Sequence, residues 1–83
     1  MQQVIRNNQD LGAAIRLARK ADHLRQVDVA QKASVRQALV SAIENGVTSA
    51  RLDTVIRVLA VLDLDLDLAI VPRRTTGFDP TEY

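Results

Sequence analysis

His23 is the single histidine of the chain, and the three serines, Ser34, Ser41 and Ser49, have no second histidine to share. A nucleophilic triad needs a hydroxyl, a base and an orienting carboxylate brought together, and nothing at these spacings supports one. His23 reads instead as a solvated residue near a helix C-terminus, where positive charge is favoured. Asp63, Asp65 and Asp67 look like paired carboxylates but lack the intervening glycine and distal glutamate of a calcium loop. Their strict alternation already explains them as one solvated face of a strand. Cysteine is absent, which removes disulfides and thiolate ligands and fits a reducing, cytoplasmic setting. No catalytic residue, metal site or cofactor is therefore expected, and the chain does not read as an enzyme.

The informative spacing lies elsewhere. Gln37, Ala38, Ser41 and Asn45 stand at 0, +1, +4 and +8, on the side of one helix opposite Val40 and Ile43. Glutamine can contact adenine bidentately, a small alanine can meet a thymine methyl, serine can contact either, and arginine pairs with guanine. With Arg36 just ahead of it, this face can read a DNA major groove. The same polar face also suits a helix that is simply solvated.

The elements that must position this face follow from periodicity. Leu11, Ala14, Ile15, Ala18 and Ala21 recur at helical steps, with Asn7 or Asn8 as cap and Asp10 in the first turn. Gly12 within that pattern either permits a close contact or is tolerated at about 1 kcal/mol relative to alanine. A second, two-turn helix spans 26–33 with Val29, Ala30 and Ala33 as its apolar face, and Ser34-Val35 is the break. The third runs from Arg36 to Gly46 with Leu39, Val40 and Ile43 as its stripe, Gly46 being a suitable left-handed stop. Leu52, Val55, Ile56, Leu59 and Leu62 give the fourth.

The period then changes to two. Leu62, Leu64, Leu66, Leu68 and Ile70 alternate with mostly acidic partners up to Pro72, which reads as a strand with one apolar face. No other segment reads convincingly as strand, so its backbone groups find their partner most economically in a second copy. Pairing with the N-terminal 2–6 segment, or with a different protein, is the alternative. Residues 72–83 lack periodicity and carry Phe78 and Tyr83. These two are either docking anchors for another protein or incidental in an unstructured tail.

Eighty-three residues make one small domain, which buries only about 60–65% of its unfolded surface and is marginal without a partner. The overall charge is +1, but residues 1–52 carry eight basic and four acidic groups, and the remainder is net −3. This asymmetry allows an anionic partner on the N-terminal half and argues against a uniformly basic coat. Apolar runs are short and no signal peptide or membrane span is expected.

Gln26-x-x-Val29-Ala30-x-x-Ala33-Ser34-Val35, then Val40-Ser41-x-Ile43-Glu44-x-Gly46 and Leu52-Asp53-Thr54-Val55, resembles the lambda-repressor/Cro-type helix-turn-helix over roughly residues 10–71. Arg36-Gln37-Ala38, the alternating strand and the aromatic tail are similar to HipB-type antitoxins, the DNA-binding partners of HipA-type kinase toxins. The resemblance implies a mainly α fold of four to five helices, with one C-terminal β-strand pairing across a homodimer. It implies an N-terminal segment 1–9, a DNA-binding domain 10–71 with its dimerisation strand at about 64–71, and a tail 72–83. A dimeric autorepressor of palindromic operator DNA that restrains a HipA-like toxin kinase would follow.

Carried over by position, Arg36, Gln37, Ala38 and Ser41 would face bases, with Arg36 on a phosphate as the alternative. Gln26, Asn45, Arg51 and, more weakly, Arg25 would contact phosphates. Leu62, Leu64, Leu66, Leu68 and Ile70 would form the dimer ribbon, and Phe78 and Tyr83 would be the toxin-contacting tail. Glu44 would be ion-paired with a basic group of helix one or two. Ser34 stands where the family often has glycine, and Arg25 and Arg36 stand where serine or threonine often caps. Ala42 replaces a position that is often basic. Rival readings are a stand-alone or HigA-type repressor with another partner, and a protein-interaction module that does not bind DNA.

Overall fold

The computed structural model describes residues 3–64. Among these are four helices and no strand: α1 (Asn8–Ala21), α2 (Gln26–Ala33), α3 (Gln37–Glu44) and α4 (Leu52–Val61). The alternating segment beyond Leu64, with Leu66, Leu68 and Ile70, and the tail with Phe78 and Tyr83 lie outside the described residues.

Helices α2 and α3 contribute the faces their periodicity marks, and α1 contributes Ile15 from its stripe. Ile15 of α1, Val29 of α2, Val40 of α3 and Val58 of α4 are the fully buried centre, surrounded by Ala30, Ala33, Ile43, Val55, Leu59 and Leu62. Helix α3 packs against both α1 and α2, and α4 closes the other side of α2. Gly12 is where α1 crosses the end of α3. A β-carbon there would fall on the Ile43 carbonyl oxygen and within 2.5 Å of that of Glu44, so glycine permits the approach of the two backbones.

Helix α4 departs from the expected stripe. Val55, Val58, Leu59 and Leu62 face the core, whereas Leu52 and Ile56 stay 53% and 48% exposed. The buried face is rotated around the helix toward Val58, the side on which α4 packs against α2. Leu62 is also corrected as a ribbon residue. It is 4% exposed and packed in the core of its own chain, so its apolar character belongs to α4.

All four helices stop in the same way. Leu24, Val35, Val47 and Leu64 each donate their N–H to a carbonyl five residues back, at 2.9–3.1 Å, and the preceding residue donates to one three residues back. Those preceding residues, His23, Ser34, Gly46 and Asp63, have φ of 57°, 59°, 70° and 55°. This is the Schellman arrangement, with an aliphatic residue after each left-handed one. Only one of the four is glycine.

The helix starts are less uniform. Asn7 caps α1 through its Oδ1, which accepts the Asp10 N–H at 2.7 Å. Arg25, Arg36 and Arg51 occupy the corresponding positions of α2, α3 and α4, and none makes a side-chain cap. An arginine has no acceptor to offer, so the first N–H groups of these three helices go uncapped by it.

Candidate nucleic-acid interface

The core fixes which side of α3 is free. With Val40, Ile43 and Glu44 buried and Leu39 packed against the core, Gln37, Ala38 and Asn45 are exposed and Ser41 and Ala42 are half-buried on the opposite side. Arg36, at the start of the helix, is exposed. The structure thus gathers Arg36, Gln37, Ala38, Ser41 and Asn45 along one helix, as their spacing predicts. The face carries amide, hydroxyl and methyl groups and no carboxylate, so it can donate to and accept from base edges without repelling phosphate.

What holds α3 in place is a charged cluster in the interior. Glu44 is 7% exposed. Its carboxylate accepts Arg19 Nε at 2.6 Å and Arg19 Nη2 at 2.9 Å, a two-pronged pair joining the last turn of α3 to α1. Arg19 Nη1 donates to the Leu24 carbonyl at 2.8 Å. Gln26 Nε2 donates to Glu44 Oε1 at 3.2 Å, which brings in the start of α2. The Arg19 guanidinium, hydrogen-bonded to Glu44, is held above its ordinary range even though burial opposes its charge. The sequence expectation for Glu44 leaves its partner open between helices one and two, and the partner is Arg19 of helix one. Gln26, half-buried, has one amide N–H engaged with Glu44, so only its second N–H is free for an outside acceptor.

The remaining basic candidates sit at helix starts. Arg25 is exposed, and Asp28 accepts its backbone N–H at 2.8 Å, its Nη2 at 3.0 Å and its Nε at 3.2 Å. These bonds hold the Asp28 carboxyl below its ordinary range. Arg51 is exposed before α4, with Nε 3.4 Å from Asp53 Oδ1. A surface pair of that length is worth little and does not prevent Arg51 from reaching another anion.

One basic residue near α3 is not singled out by the sequence pattern. A groove of about 520 Å³ between α3 and α4 is lined by Val35, Arg36, Ala38, Leu39, Thr54 and Arg57. In sequence Arg57 is one polar position of an amphipathic helix, and only the packing of α4 beside α3 brings it to the groove that Ala38 lines. Among the described residues no group of three or more His, Cys, Asp or Glu could hold a metal ion. No helix among them is long and apolar enough to cross a membrane.

Two short helices joined by a tight left-handed turn, with a third packed behind them, make a helix-turn-helix, and a helix-turn-helix family model matches residues 15–68. The chain belongs to the lambda-repressor-like helix-turn-helix family. It is a DNA-binding domain of that family, with α3 as the helix after the turn. Among solved structures, this helix-turn-helix chain is similar to that of a HipB-O4 20mer complex, with 28% identity over 86% of this chain and 100% of that one, and a TM-score of 0.74. A HipA-HipB-O2-O3 complex gives the same values. No curated protein matches the chain.

Proposed function

We propose that the protein is a sequence-specific transcriptional repressor that binds palindromic operator DNA as a homodimer and serves as the antitoxin to a HipA-type kinase. The free face of α3 carries the DNA reading: Gln37 and Ala38 lie exposed just after Arg36, on a helix locked to α1 and α2 through Glu44. In this reading Gln37, Ala38 and Ser41 contact base edges. Gln26, Asn45, Arg51 and Arg25 contact phosphates, setting register while α3 sets sequence. The start of α3, preceded by Arg36 and with neither a side-chain cap nor an acidic residue in its first turn, favours the same anionic partner, because a phosphate supplies the acceptor that arginine lacks.

The antitoxin role is supported by likeness to HipB structures, one of them in complex with HipA. The apolar face of Leu64, Leu66, Leu68 and Ile70 is the proposed dimer ribbon, and Phe78 and Tyr83 are the proposed toxin contacts.

Fluorescence anisotropy tests the DNA reading, comparing the duplex immediately upstream of the gene with a scrambled duplex at one fixed salt concentration, since phosphate contacts alone can imitate affinity. Binding about a thousandfold tighter to the upstream duplex is expected. Equal, weak binding to both would defeat the operator assignment. The partner is tested by co-expression with the kinase-like reading frame beside the gene, where co-purification and loss of kinase toxicity are expected. An adjacent ribonuclease-like frame with which the chain co-purifies would instead favour a HigA-type role.

A further inference from the structure

Arg57 lies on α4, exposed, between two adjoining grooves. The first, toward α3, is lined by Arg36, Ala38 and Thr54 along with Val35 and Leu39. The second, of about 380 Å³, runs toward the end of α2 and is lined by Lys32, Ala33, Ser34, Ala60 and Val61. Arg57 joins the two grooves, with Arg36 lining one and Lys32 the other, and among the described residues no carboxylate lines either. Among the described residues the ion pairs are Arg19–Glu44, Arg25–Asp28 and Arg51–Asp53. Asp53, one turn before Arg57 on the same helix, accepts the Thr54 N–H at 2.8 Å and lies 3.4 Å from Arg51 Nε. The three cations of the two grooves have no partner among these pairs.

We infer that the groove between α3 and α4 is a phosphate subsite, in which Arg57 and Arg36, with the Thr54 hydroxyl, hold a backbone phosphate of the duplex whose bases face Gln37 and Ala38. It rests on the DNA reading of α3 given above. Two guanidinium groups lining one groove repel each other until an anion enters, and a phosphate presents several oxygens to their planar forks. The groove shares Ala38 with the base-reading face, so an acceptor seated in it lies beside bound DNA. That continuity favours duplex phosphate over an acidic protein, which would have no reason to share a residue with the reading face. The assignment also places Arg36 on the backbone instead of a base. Lys32, in the second groove, faces a neighbouring phosphate.

The salt dependence of binding reads the subsite directly, because each phosphate neutralised contributes about 0.9 to the slope of log K against log salt. Arg57→Gln, at an exposed position, is expected to lower that slope by about 0.9 for each copy bound, and to weaken the upstream and scrambled duplexes by equal factors. Arg57→Lys restores most of the slope, since a point charge serves a phosphate. Arg16→Gln, exposed on α1 and outside both grooves, leaves the slope unchanged and controls for general charge. Circular dichroism establishes that each variant is folded. An unchanged slope for folded Arg57→Gln overturns the subsite. So does a loss confined to the upstream duplex, which would make Arg57 a base reader. If the unaltered protein binds no duplex at all, the DNA reading fails and the subsite fails with it.

Discussion

At the scale of single residues, Glu44 and Gln37 show how one helix serves two ends. Glu44 points inward, where a lone carboxylate is costly to bury, and is sustained by three hydrogen bonds from Arg19 and Gln26. Its removal leaves the Arg19 guanidinium, itself only 11% exposed, without a counter-charge. Glu44→Ala is therefore expected to destabilise the fold by about 3–5 kcal/mol in urea denaturation. A loss under about 1 kcal/mol would mean that Arg19 escapes to water and that the pair is peripheral. Gln37 points outward, and nothing in the fold needs it. Gln37→Ala should leave the urea midpoint where it is while costing about 1–3 kcal/mol on the operator and little on random DNA. Equal small losses on both duplexes would remove Gln37 from base reading. These two residues differ in how legible they are. The free face containing Gln37 follows from helical spacing alone, whereas the choice of Arg19 as the Glu44 partner depends on how α1 crosses α3. Arg57 was illegible for the same reason, since only the packing of α4 beside the start of α3 brings it to the groove.

At the scale of elements, the bounds of α2 and the stop after α3 were legible, and the stop of α4 explains why Leu62 reads as part of the alternating segment. The span of α2 matches the sequence expectation, and Gly46 follows α3 in the left-handed conformation expected of it. The run Leu62-Asp63-Leu64 has the alternation of a strand but is a helix stop, with Leu62 in the core, Asp63 left-handed and Leu64 donating back to Leu59. Aliphatic, polar, aliphatic is what a Schellman ending requires and also what a strand requires, so three residues cannot separate them. Ser34 is the ending whose strain can be measured. A left-handed backbone costs an ordinary L-residue about 1–2 kcal/mol, and glycine recovers this less the greater freedom it gives the unfolded chain. Ser34→Gly is thus expected to stabilise by about 0.5–1 kcal/mol, read as a higher midpoint at an unchanged urea slope. Destabilisation would show that the Ser34 side chain makes a contribution larger than the strain.

At the scale of the whole molecule, the question is what completes so small a core. Among the described residues only Ile15, Val29, Val40 and Val58 are fully buried, and α4 still exposes Leu52 and Ile56 on one side. An 83-residue chain without disulfides gains most from burying such a face against a second copy. The proposed palindromic operator asks for the same thing, because two half-sites about 34–36 Å apart would be read by two recognition helices related by a two-fold axis. The proposed ribbon of Leu64, Leu66, Leu68 and Ile70 sets that axis beyond the end of α4. Leu66→Asp puts a charge into the apolar face of that ribbon while leaving the described core intact. Sedimentation should then find monomers at concentrations where the unaltered chain is dimeric. Operator affinity should fall by at least a hundredfold, on the order of the gain that linking two binding units confers. Binding of an isolated half-site should be unchanged, which separates lost dimerisation from lost folding. A Leu66→Asp protein that still sediments as a dimer would move the interface to the exposed Leu52 and Ile56 side of α4, and the acidic segment 63–67 would become free to meet a basic partner.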